Sequence, residues 1–351
     1  MRSLFASFLT AALLGAALPA QADGPAEGQI RVGTWNIENL GKRRTPRSDE
    51  DMQAMAAFIK ELGVDVLALQ EINGTAPLHR LLKALGEDYQ FVLGTTGTFK
   101  TGQIGVGFLW NAKRVQLLQA EELLDLPSKT PGGDWIFHRK PVVGTFKTLV
   151  GGFDFRAVVV HLKAGRLNTG ENWQRNVNKR NAEVTELAKR LEALLAKPGE
   201  DQDLLILGDF NHASSYPSYK ALAKHFEYLE PAQPHRSITY FDEQIDHVAI
   251  SKGLKEELVP GSLKIWFERH DRDPKAYKTR YSDHMPLTVD FDASKDRDPD
   301  ATFQKPTLNQ ALQPASKKAS EPAEEKTPED PSDARRVLGD RRRSPRRRRG
   351  A

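Results

Sequence analysis

The chain has 351 residues, no cysteine and a formal net charge of +4, which excludes disulfides, thiolate metal sites and a cysteine nucleophile. The charge is uneven: residues 334–351 hold nine Arg against one Asp, so residues 1–333 carry a net −4 and the sequence pI of about 9.0 belongs to the tail. The length allows one large core or two ordinary domains, and one core with tails is the simpler reading.

In chain order, Arg2 opens a short basic region, Leu4 to Leu18 form an apolar run broken only by small or polar residues, and Ala20-Gln21-Ala22 is an A-x-A cleavage signal. A signal peptide over residues 1–22 is expected, with the product periplasmic or secreted. The run falls short of the roughly 20 apolar residues a membrane span needs, so no transmembrane segment is expected in the mature chain.

From Ile30 to Phe291, short β-branched runs alternate with longer amphipathic segments, the pattern of an α/β protein. Strands are predicted at Ile30–Trp35, Asp65–Leu69, Gly105–Trp110, Arg156–Val160, Leu204–Leu207, His247–Ile250 and Leu287–Phe291. A helix is predicted over Asp51–Leu62, with Met52, Met55, Ala56 and Ile59 at helical spacing and Gly63 as its stop. A second spans Asn181–Leu195, where Val184, Leu187, Ala188 and Leu191 make a stripe that should cover a sheet face. The domain is expected over residues 23–293. From about Ser294 the Pro-, Ser-, Ala-, Lys- and Glu-rich composition cannot offset its ordering entropy, and disorder is expected over 294–351.

The chemistry gathers at strand ends. Val32 to Asn39 delivers Asn36 and Glu38; Val66 to Glu71 closes on a carboxylate; Leu204 to Asn211 exits through Gly208 to Asp209 and Asn211; Tyr281 to Pro286 sets Asp283 beside His284. Each taken singly has a bland explanation, since Asp or Asn after a strand commonly starts a turn and a lone histidine is often structural. Together, carboxylates collected at one end of a sheet repel one another, and a hard divalent cation with oxygen ligands is the usual reason to keep them there. Val158 to Lys163 ends an apolar strand on His161 with Lys163 on the same side, and Asp246 stands at a strand start where a carboxylate can fix a histidine's tautomer.

The ordered set T-W-N-I-E, L-Q-E, H-L-K, G-D-F-N, I-D-H and S-D-H-M-P resembles the signature of the endonuclease/exonuclease/phosphatase superfamily over about Ile30 to Phe291. The resemblance implies an α/β fold, a four-layer α/β/β/α sandwich of two packed mixed sheets flanked by helices, with the site at one end. It implies Glu71 as main metal ligand with Asn36, Glu38 and Asp283 assisting, and Mg²⁺, or Mn²⁺ or Ca²⁺, as the ion. It further implies Asp209 as the group that orients or deprotonates water, Asn211 and His284 as phosphate contacts, Asp246 as the orienting carboxylate of His284, and His161 as a second catalytic histidine. Lys163 is read as a further phosphate-neutralising group.

Two departures from the pattern stand out. Gln103-Ile104 occupies the neighbourhood where the deoxyribonucleases carry a glutamate partner for the second histidine, and Glu38 stands where repair-type members carry Asp. The five tryptophans are read mostly as framework, and Arg175, Lys179 and Arg180 either as phosphate contacts or as a solvated helix face. The expected activity is a metal-dependent nuclease acting on DNA or RNA. The alternatives are a sphingomyelinase-like or other phosphodiesterase or phosphatase, and a non-catalytic protein holding polyanions through its Arg-rich tail. The sequence leaves the oligomeric state open.

Overall fold

The computed structural model describes residues 24–41, 46–97, 104–165, 171–297, 300 and 308. The expected signal peptide and almost all of the expected disordered tail lie outside the described residues. The first six-stranded sheet is built from β1 (Gln29–Leu40), β2 (Val66–Ile72), β3 (Tyr89–Leu93), β4 (Gly105–Asn111), β11 (Lys264–Ile265) and β12 (Leu287–Asp292), in the order β11-β12-β1-β2-β4-β3. The second, β5-β6-β7-β8-β10-β9, uses Val115–Glu122, Val142–Thr148, Asp154–His161, Leu204–Asp209, Asp246–Ile250 and Glu227–Tyr228 for β5, β6, β7, β8, β10 and β9. Both sheets are mixed, each with one parallel pair, β1 with β2 and β7 with β8.

Helix α1 (Asp49–Leu62) starts where the sequence signals it. Ser48 accepts from the backbone N–H of Asp51, whose side chain returns the bond, and Gly63 ends the helix in the left-handed conformation. Together with α2 (Ala76–Leu85) it flanks the first sheet, and Trp35 of β1 meets Phe58 of α1 edge-on at 5.6 Å. Helix α3 (Glu171–Leu195) begins ten residues before the expected start at Asn181, and Val184, Leu187, Ala188 and Leu191 pack against the second sheet as expected.

Strand alternation sorts the second sheet's side chains. Val158, Val160, Leu204, Ile206 and Ala249 join the core under α3, while Ala157, Val159, Leu205, Leu207, Val248 and Ile250 join the core between the sheets. All eight residues of β7 are buried, and Ala157 to Val160 at its centre read as an unbroken apolar run. Extending the same parity past the last inward aliphatics places His161, Asp209 and Asp246 on the inner face. Register then aligns them, because His161 pairs with Asp209 across β7–β8 and Asp209 with Asp246 across β8–β10. Gly208 is required here. Its φ is 142°, and a Cβ would lie 2.0 Å from the Val160 carbonyl oxygen.

The chain keeps contact with the domain past the expected boundary at residue 293. Asp300 pairs with Lys147 at 3.1 Å, and Leu308 is buried in the inter-sheet core cluster with its N–H 3.4 Å from the Ala120 carbonyl. No helix among the described residues is long and apolar enough to cross a membrane.

Candidate active site

The two sheets present their strand ends to one another, and all ten residues singled out from the sequence meet there. Asn36, at the end of the regular part of β1, is fully buried and its amide donates to Glu71 Oε1 at 3.2 Å and to Asp209 Oδ2 at 3.1 Å. One side chain therefore joins the first sheet to the second. Glu71 reaches Asn36 through an irregularity rather than through alternation. Gln70 pairs with Asn36 in register, the register slips between Gln70 and Ile72, and Glu71 adopts a φ of 65°. Glu38 and Asn39 are also left-handed, and the Asn39 N–H donates to Glu71 Oε2 at 3.0 Å.

Asp209 is the hub. Its Oδ1 accepts from the Asn211 N–H at 2.8 Å, while His161 Nε2 lies 3.4 Å and His284 Nε2 3.9 Å from Oδ2. Burial pushes its pKa up to about 7; His284 opposes the rise, and Asp246 and Glu71 add to it. His284 is held from three sides: Ser282 Oγ accepts its N–H, and its carbonyl takes bonds from Trp35 Nε1 and the Tyr277 hydroxyl. Its Nδ1 is 2.8 Å from Asp246 Oδ2. Burial alone would lower the pKa of His284, but Asp246, by charge and hydrogen bond, and then Asp209 outweigh it and hold the value well above 6.5.

His161 is the opposite case. Burial, then the charges of Arg139 and His284, lower its pKa well below 6.5, so the ring is neutral. Nδ1 is buried with no partner among the described residues, while Nε2 faces Asp209 and Glu71, the latter at 3.9 Å. That pattern favours the tautomer protonated on Nε2. Among the described residues no carboxylate stands at Nδ1, and Gln103 lies outside them.

Asp209, Asp246 and His284 bring ligand atoms within 4.8 Å of one another, a spacing that a metal ion can bridge. A histidine held protonated is a poor ligand, however, and its Nδ1 is already engaged by Asp246. Glu71 suits a hard cation better. Asn36, Glu38 and Asp283 offer further oxygens, and Glu38 has its pKa raised first by burial, then by Asp283, with Glu71 adding to the rise. Carboxylates that repel one another in a half-buried cleft make a donor set that fits a divalent ion.

Three residues missed by the sequence reading complete the site. Arg139 directs Nε to the His161 carbonyl at 3.3 Å, and its charge is felt by His161 and by Lys163. Glu183 of α3 accepts from the Phe137 N–H and the Lys163 N–H, both at 2.8 Å, tying the segment before Arg139 to the one after His161. Ser282 joins the first sheet to the His284 loop by donating to the Asn36 carbonyl at 2.6 Å. Arg180 corrects an expectation: it is neither a phosphate contact nor solvated, but buried, with Nη1 donating to the carbonyls of Lys163 and Asn211. Asn211, at φ 61°, anchors its amide on the Leu162 carbonyl at 3.0 Å.

Residues 33–284 match the model of the Endonuclease/Exonuclease/phosphatase family. The human Endonuclease/exonuclease/phosphatase family domain-containing protein 1 is 26% identical over 298 residues, 76% of this chain and 50% of that protein. The chain thus spans about half the length of the curated relatives it matches. Among solved structures, the human nocturnin catalytic domain with bound sulfate is similar at a TM-score of 0.54 and 21% identity, covering 75% of this chain and 94% of that one. TDP2 from D. rerio complexed with a single-strand DNA product gives 0.53 and 16%, with 75% and 98% covered. A mannosyl-6-phosphatase from Bacteroides thetaiotaomicron gives 0.52 and 17%, with 75% and 99% covered. At these identities the structures speak for the fold, and the family match spanning both sheets carries the assignment: the chain belongs to the endonuclease/exonuclease/phosphatase family, whose members hydrolyse phosphoester bonds.

Proposed function

We propose that this protein is an exported, divalent-metal-dependent nuclease that hydrolyses phosphodiester bonds of DNA or RNA. The observation that carries the reading is Asp209, a buried carboxylate with an elevated pKa, set between the neutral His161 and a protonated His284 paired with Asp246, beside the oxygen donors of Glu71 and Asn36. Asp209 takes the proton of the attacking water. His284, held by Asp246, presents Nε2 to the phosphate, where its charge is matched to the charge that develops in the transition state. Asn211 and Lys163 contact non-bridging oxygens, Arg139 adds a further cation, and His161 offers a neutral Nε2–H. Glu71, with Asn36, Glu38 and Asp283, would hold Mg²⁺, or Mn²⁺ or Ca²⁺, which when bound supplies Lewis-acid stabilisation of the phosphoryl group.

The experiment is a substrate panel of plasmid DNA, RNA, sphingomyelin, a sugar phosphate and a small diester, each with and without chelator. Nucleic acid is expected to be cleaved fastest, and only without chelator. Glu71→Gln is expected to lower activity and weaken its dependence on added metal while leaving the unfolding midpoint near wild type. Full activity in excess chelator would falsify the metal assignment. Faster hydrolysis of the sugar phosphate would favour the phosphatase reading suggested by the mannosyl-6-phosphatase neighbour.

Export rests on residues 1–22, which place a basic start, an apolar run and Ala20-Gln21-Ala22 in signal-peptide order. The exported protein is expected to start at Asp23 in the periplasm or medium. An intact mass that retains Met1 to Ala22 removes this part of the proposal.

A further inference from the structure

Most tryptophans are framework: Trp35, Trp110 and Trp266 are buried, and two of them donate their indole N–H inside the protein. Trp135 is not, with 55% of its surface exposed. It sits on a hairpin in the β5–β6 connection, bridged to Lys129, closed by Thr130 N–H on the Asp134 carbonyl at 2.8 Å and by Ile136 N–H on the Ser128 carbonyl at 3.0 Å. Lys129 Nζ lies 4.5 Å from the ring centroid, over one face.

The hairpin runs straight into the active site. Trp135 is two residues from Phe137, which Glu183 ties to Lys163, and four from Arg139, which bonds the His161 carbonyl; four residues of chain reach at most about 14 Å. Arg175 and Lys179 of α3 approach Asp134 from the other side. Lys129, Arg139, Lys163, Arg175 and Lys179 stand around the hairpin root, with Asp134 and Glu183 between them and Glu71 and Asp209 of the active site facing Arg139. An exposed indole carried on a hairpin among cations, within reach of a phosphodiesterase centre, complements a strand that offers bases and phosphates in turn.

On the nuclease reading above, we propose that Trp135 is a stacking platform for an unpaired base of the substrate, with Lys129 paired to a neighbouring phosphate. The occupant is single-stranded nucleic acid, because a base inside a duplex has no free face to offer the indole. Base–aromatic stacking changes affinity by roughly 10-fold or more per base.

The test uses the full chain, wild type and with Trp135→Ala or Trp135→Phe, on a single-stranded oligonucleotide, its blunt duplex and bis(4-nitrophenyl) phosphate. The alanine variant is expected to raise KM on the single strand roughly 10-fold or more, with kcat and small-diester hydrolysis unchanged, and the phenylalanine variant to recover most of the loss. An unchanged KM on a single strand that both proteins cleave overturns the platform and leaves the nuclease reading standing. An equal loss on the small diester, or on the duplex, also overturns it, the first by showing a structural role. Wild-type protein that hydrolyses the small diester but neither oligonucleotide overturns the nuclease reading, and the platform falls with it.

Discussion

Asp209→Asn is expected to lower turnover at least about 100-fold with the fold intact. The amide keeps the carboxylate's shape and one acceptor oxygen, so a contact to the Asn211 N–H or the Asn36 amide can survive. It cannot take a proton from water. Because burial disfavours the charged form of Asp209, a neutral amide should not weaken the protein, and the unfolding midpoint measured in chelator is expected at or above the wild-type value. Single-turnover kinetics on a small diester isolate the chemical step. Near-normal turnover would take Asp209 out of the mechanism, whereas a collapsed midpoint would make its role one of architecture.

His284→Ala is expected to act twice. It removes the group offered to the phosphate, with a loss of at least about 100-fold in turnover. It also strands Asp246, which is 1% exposed, has Oδ1 without a partner among the described residues, and gives Oδ2 to His284. Breaking a buried pair from one side typically costs about 3–5 kcal/mol. The two effects separate in the double variant His284→Ala/Asp246→Asn, which neutralises the stranded carboxylate. Its stability in urea is expected to recover most of the loss, and its activity none. Recovered activity would show that His284 serves only to compensate Asp246.

Much of this site was legible because it is written in alternation. Once β7, β8 and β10 are placed as neighbours, parity alone aims His161, Asp209 and Asp246 at the same cleft, and the apolar residues that fix the parity are conspicuous. Glu71 was legible as a strand-end carboxylate, but the turn that carries it to Asn36 is a register slip, and a slip leaves no periodic trace. Strand β5 was overlooked for a related reason: it mixes buried and exposed positions irregularly, and its Leu117 to Gln119 register shift breaks the two-residue rhythm. The first ten residues of α3 carry Trp173, Gln174 and Arg175 but little apolar stripe, so only the half that packs on the sheet was visible. Arg139 ends no strand. Its place is set by Glu183, more than forty residues away in sequence, and no local pattern encodes that tie.

Glu38, Asn39, Glu71, Phe137 and Asn211 are the described non-glycine residues with positive φ, and every one borders or supports the cleft. Such conformations typically cost on the order of 1–2 kcal/mol each for a residue with a Cβ. That cost is therefore concentrated in the backbone that aims the proposed catalytic groups. Glycine at Glu38, whose side chain is outside the core, should raise the unfolding midpoint while lowering turnover, whereas at Phe137, buried in the core, the cavity would outweigh the relieved strain.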